Sequence, residues 1–94
     1  MRQRAKVDRN QGQIVGELRQ LGFSVTIMSQ LGGGVPDILV GKHGITLPVE
    51  IKMPGEKMTD AEAKWFLDWK GSAIIAETTE EIISEFVRIE NERS

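Results

Sequence analysis

The chain has 94 residues, enough for one domain with a small core and a large wet surface. It contains no cysteine, which excludes disulfides and thiolate metal sites. No apolar run approaches the roughly 18 residues of a membrane span, and Met1-Arg-Gln-Arg-Ala-Lys lacks the apolar stretch of a secretory signal. These features fit a cytoplasmic protein with no membrane partner. The net charge is −2 and unevenly spread: residues 77–94 hold six Glu against two Arg, residues 1–76 ten Lys or Arg against eight Asp or Glu. The asymmetry permits a basic face on the larger part.

In chain order, residues 1–7 read as a flexible basic arm. Asp8 is placed to cap a helix running to about Leu21, with Ile14, Val15, Leu18 and Leu21 at helical spacing and Gly22 as its stop. Phe23, Val25 and Ile27 alternate as in a strand. Gly32-Gly33-Gly34 then lets the backbone turn sharply or approach something closely. Ile38–Gly41 and Ile45–Ile51 read as short strands around Lys42-His43-Gly44, and Pro54-Gly55 ends the second. Thr59-Asp-Ala-Glu62 is a capping box opening a helix that carries Trp65, Phe66 and Trp69, stopped by Gly71. Ser72–Glu77 reads as a strand. Thr78-Thr-Glu-Glu81 is a second capping box, before a last helix with Ile82, Ile83, Phe86 and Ile89. The order α-β-β-β-α-β-α implies an α/β domain over residues 1–94, with a mixed sheet and helices packed on it.

The two central strands carry the most chemistry. Ile38 and Val40 share one face of the first; Leu47, Val49 and Ile51 share one face of the second. Bringing these sets together pairs 38 with 49 and 40 with 47, and the same register sets Asp37 opposite Glu50. Opposed residues have Cβ atoms about 4.5–5.5 Å apart. Side-chain alternation puts both carboxylates on the face away from the apolar set, with Lys52 beside them. Facing carboxylates raise each other's pKa, and a hard cation such as Mg²⁺ relieves the conflict with oxygen ligands. The Ile51 carbonyl is near enough to add a further ligand. A metal there would polarise a phosphoryl oxygen, and Lys52 would orient water or stabilise developing charge. The competing reading is a solvent-facing strand with a compensated acid pair.

Other residues weigh less. Gln11 is a polar residue on the buried stripe of the first helix, bonding either a loop backbone or the metal site through water. Glu62 reads first as the cap residue of its helix. Trp65 and Trp69 share a helix face and read as core or dimer contact before base stacking. His43 reads as a solvated turn residue. The glycine run lacks the lysine and following helix of a nucleotide-binding loop.

Pro36-Asp37, twelve residues and then Glu50-Ile51-Lys52 resembles the PD-(D/E)XK nuclease signature. The chain is more closely similar to VRR-NUC domains of the small stand-alone phage and bacterial type. The stretches that carry this are Asn10-Gln11…Ile14-Val15…Leu18-Arg19…Gly22, Gly34-Val35-Pro36-Asp37-Ile38-Leu39-Val40-Gly41, Val49-Glu50-Ile51-Lys52 and Thr59…Trp65…Trp69-Lys70-Gly71. The resemblance implies a restriction-endonuclease-like α-β-β-β-α-β core, with a mixed four-stranded sheet flanked by helices and a C-terminal helix. It implies a Mg²⁺- or Mn²⁺-dependent DNA endonuclease, homodimeric and selective for branched DNA in the manner of Holliday-junction resolvases, working in the cytoplasm of a bacterial or phage-infected cell. Asp37, Glu50 and the Ile51 carbonyl take the place of the metal ligands, and Lys52 that of the catalytic lysine. Gln11 stands where many members place a glutamate and joins the catalytic candidates. Ala63 stands where many carry a glutamine, with Glu62 beside it. Arg9, Gly33, Gly34 and Lys57 are the candidate DNA contacts. The alternatives are a catalytically silent DNA-binding or assembly module on a nuclease fold, and a nickase indifferent to DNA structure.

Overall fold

The structure is a computed structural model that describes the backbone of residues 2–93 and the side chains of residues 10–93. Its elements are α1 (Arg2–Gln20), β1 (Ser24–Ile27), β2 (Ile38–Lys42), β3 (Ile45–Ile51), α2 (Asp60–Asp68), β4 (Ile74–Ala76) and α3 (Thr79–Arg93). They form a mixed α/β domain with one four-stranded sheet in the order β1-β2-β3-β4. The first two pairings are antiparallel, and β4 joins β3 in parallel.

The helix begins earlier than the sequence suggested. Asp8 lies inside α1 rather than at its cap, and residues 2–7 continue the helix. That stretch holds good helix formers and neither Gly nor Pro, so nothing in it stops the helix. At the other end Gly22 adopts φ +91. Gly22 N–H donates to the Arg19 carbonyl and Phe23 N–H to the Leu18 carbonyl, the two bonds of a Schellman cap. The cap delivers Phe23 into the core, where its ring meets Phe86 of α3 edge-on at 5.0 Å.

The β2–β3 register is the one the apolar pattern implied, Ile38 with Val49 and Val40 with Leu47. The hairpin turns through His43-Gly44, both at positive φ as a two-residue type I′ turn requires. Its apolar face packs under α1 and α3: Ile14, Val15, Leu18, Ile38, Val40, Leu47, Val49, Ile82 and Phe86 belong to one buried cluster. Thr79 of α3 donates to Glu17 of α1 at 2.5 Å, tying the two helices above the sheet. His43 is not merely solvated, because its Nδ1 pairs with the Glu90 carboxylate of α3. No helix among the described residues is long and apolar enough to cross a membrane.

The middle helix differs from the other two. The Thr59 capping box forms in full: Glu62 N–H donates to Thr59 Oγ1, and Thr59 N–H to Glu62 Oε1. Yet α2 buries none of its residues. Its start is fixed by the glycine run. A Cβ on Gly34, at φ +83, would stand 2.2 Å from the Ala61 carbonyl oxygen, so only glycine admits this approach.

Candidate active site

Asp37 stands in the bend just before β2, one residue beyond the paired ladder. Its Oδ2 accepts the Ile51 backbone N–H at 2.8 Å, which sets the carboxylate against the end of β3. Met28 N–H donates to the Asp37 carbonyl at 2.7 Å and pins the bend from the β1 side. Glu50 pairs with Ile75 across the sheet and lies on the face away from the hydrophobic cluster. Lys52 follows β3, its N–H donating to the Ala76 carbonyl at 3.0 Å.

This face is not open to solvent. Glu50 is 2% exposed and Lys52 is 6% exposed, which sets aside the reading of an ordinary solvent-facing strand. The cover comes from α2 and the preceding turn. Lys52 Nζ lies 2.8 Å from Glu62 Oε1, 3.4 Å from Glu50 Oε2 and 3.7 Å from Glu56 Oε2. Glu56 is held by Met53 N–H at 2.9 Å, in the turn built on Pro54 and on Gly55 at φ +83.

The electrostatics follow from this crowding. Burial, reinforced by the charges of Asp37 and Glu62, pushes the Glu50 carboxyl up to about 8. Burial likewise raises Asp37, with the Ile51 N–H working against it. Burial works to lower Lys52, but its hydrogen bond to Glu62 and the surrounding carboxylates outweigh that and leave it raised. Burial works to raise Glu62, but the Lys52 and Thr59 hydrogen bonds bring it below the usual glutamate value. Lys52 is therefore a firmly charged donor, set beside two carboxyls that resist ionisation.

One atom is left over. Glu50 Oε1 is buried and has no hydrogen-bond partner, a rare and costly condition for a carboxyl oxygen. Asp37 and Glu50 offer carboxylate oxygens at this point, the donor chemistry that Mg²⁺ and Mn²⁺ take. Among the described residues no three His, Cys, Asp or Glu side chains form a ready ligand group.

The remaining candidates fall at various distances from this centre. Gln11 is half-buried on α1 and makes no hydrogen bond to Asp37, Glu50 or Lys52. The stripe it belongs to serves the apolar face of the sheet, through Ile14, Val15 and Leu18. Gly34 holds the loop against α2, while Gly33 lines a cavity of about 300 Å³ with Ala61, Lys64, Trp65, Asp68 and Trp69. Lys57 is exposed in the loop before α2, and the Arg9 side chain lies outside the described residues. Glu62 was underrated from sequence: its capping signature was legible, its reach to Lys52 was not.

Comparison of the chain with protein-family models, curated proteins and solved structures returns no match.

Proposed function

We propose that this protein is a metal-dependent DNA endonuclease that hydrolyses phosphodiester bonds, acts on branched DNA and works as a homodimer. The observation that carries the reading is the orphaned, buried Glu50 Oε1 beside Asp37, with the Lys52 ammonium 3.4 Å from the other Glu50 oxygen. Asp37, Glu50 and the Ile51 carbonyl would hold Mg²⁺ or Mn²⁺. When bound, that ion supplies Lewis-acid polarisation of the scissile phosphate and a more acidic water. Asp37 is oriented for this by the Ile51 N–H. Lys52 presents a charged, donor-only group to a phosphate oxygen on which negative charge develops. Its raised pKa suits it to that role and not to removing a proton. The dimer and the preference for branches rest on the resemblance. A second support for the dimer is the uncovered α2 surface, where Leu67 is 81% and Trp69 44% exposed.

The test is cleavage of a four-way junction, a flap and a linear duplex with Mg²⁺ or Mn²⁺, with molar mass measured by light scattering. Wild type is expected to cut the junction best, and Lys52→Ala and Asp37→Ala to lose about 100-fold or more. Equal cleavage by all three proteins, or none on any DNA form with either metal, sinks the reading. A catalytically silent DNA-binding module is favoured by one observation: Gln11 adds nothing to the two carboxylates. It would bind junctions without cutting them, and Lys52→Ala would leave that binding unchanged.

A further inference from the structure

Lys52 sits among three carboxylates, and they are not equivalent. Glu50 Oε2 lies 3.4 Å from Nζ without forming a hydrogen bond to it. Glu56 is the farthest, at 3.7 Å. Glu62 alone makes a hydrogen bond to Nζ, at 2.8 Å. The oxygen that does this, Oε1, also accepts the Thr59 N–H at 2.9 Å. The same residue's N–H donates to Thr59 Oγ1 at 3.1 Å. Glu62 is therefore tied to the N-cap Thr59 at two points, and its carboxylate at one of them, before it reaches Lys52. The first turn is in turn seated by the Gly34 contact with Ala61, the residue before Glu62.

We propose that Glu62 is the positioning residue of this site: the capping box of α2 fixes its carboxylate, and that carboxylate fixes the Lys52 ammonium beside Glu50. This inference rests on the endonuclease reading for its consequence in catalysis, and on geometry alone for the placement of Lys52. A lysine side chain carries four rotatable bonds, so an unclamped ammonium samples many positions and loses that freedom on being fixed. Clamping it beforehand spares the reacting complex that cost, and a misplacement of about 1 Å can cost 100-fold in rate. Glu62 also leaves Glu50 free to turn to another cation, because Lys52 keeps a partner when Glu50 is withdrawn. The helix cap thereby serves both the fold and the site, and the slot filled in many relatives of the resembled family by glutamine, here Ala63, has no such contact.

The experiment uses Glu62→Gln and Thr59→Ala. Glutamine keeps an acceptor for the Thr59 N–H, since it too forms capping boxes, but removes the charge facing Lys52. Thr59→Ala weakens the same helix start and leaves the carboxylate in place. In ¹⁵N-labelled protein, the ammonium signal that vanishes in Lys52→Met belongs to Lys52. It is expected to be protected from exchange with water in wild type and in Thr59→Ala, and to lose most of that protection in Glu62→Gln, where the remaining acceptor is uncharged. In junction cleavage, Glu62→Gln is expected to lower kcat by about 10- to 100-fold while KM and the calorimetric affinity for Mn²⁺ stay within about threefold. The proposal is overturned if Glu62→Gln keeps the protected signal, or if it loses the signal yet cleaves at the wild-type kcat. Failure of wild type to cleave any DNA would remove the endonuclease reading, while the ammonium signal would still decide where Lys52 is held.

Discussion

On one face of the β2–β3 hairpin, Ile38, Val40, Leu47 and Val49 are fully buried; on the other, Glu50 and Lys52 are 2% and 6% exposed. The apolar face reaches that state through contacts that each lower the free energy, about 25 cal/mol for every Å² removed from water. The other face reaches it against the cost of desolvating charge, which only partners can offset. Lys52 has three such partners and Glu50 Oε1 has none. Equal burial therefore conceals unequal energetics. One face stabilises the fold, and the other gives up stability to keep an acceptor oxygen waiting.

The largest break in this comparison should come from the apolar face. Leu47→Ala removes a side chain with no exposed surface and is expected to cost about 2–5 kcal/mol in urea unfolding. A loss well under 1 kcal/mol would mean that the apolar face does not carry the fold.

Next comes the cover over the polar face. Gly34→Ala sets a Cβ 2.2 Å from the Ala61 carbonyl oxygen at a φ of +83. It is expected to cost about 2 kcal/mol through overpacking and backbone strain and to weaken protection of Lys52. Gly33→Ala has open space around its Cβ and only the strained φ of +67 to bear, so its loss should be the smaller. Reversal of that order would dissociate the glycine run from the site.

The third effect is a pH dependence. Glu50 is raised in the folded protein to about 8 from an ordinary 4.5. Its protonation therefore favours the fold fully below the unfolded value, and the contribution is lost as pH rises through about 8. Without metal, the melting temperature should fall as pH rises from 5 to 8. Glu50→Gln should flatten that slope and abolish stabilisation by Mn²⁺. A slope unchanged in Glu50→Gln would mean that another group sets it.

Much of this was legible along the chain because local rules were enough. Alternation of apolar residues set the hairpin register, and with it the side on which Asp37, Glu50 and Lys52 fall. Gly22, Thr59 and Glu62 announced the helix ends through chemistry that works over four residues. The beginning of α1 was missed because Asp8 is a cap only when the chain before it is not helical. Gln11 was not decided along the chain, because a helical stripe shows that a residue faces inward but not which groups it meets. Glu62 was undervalued because its cap was a sufficient explanation within its own segment.

What the sequence by itself determined is the order of elements, the register of the central hairpin and the identity of the acid pair and lysine, all of which depend on spacings of a few residues. Only the tertiary structure decided that this polar face is buried, that Glu62, Glu56 and Glu50 surround Lys52, and that one oxygen of Glu50 is left without a partner. These depend on where α2 docks, and that is set by the contact between Gly34 and Ala61, residues too far apart in the chain for local pattern to link. Burial, charge balance and pKa are properties of what surrounds a residue, and for this site the surroundings arrive from a different segment of the chain.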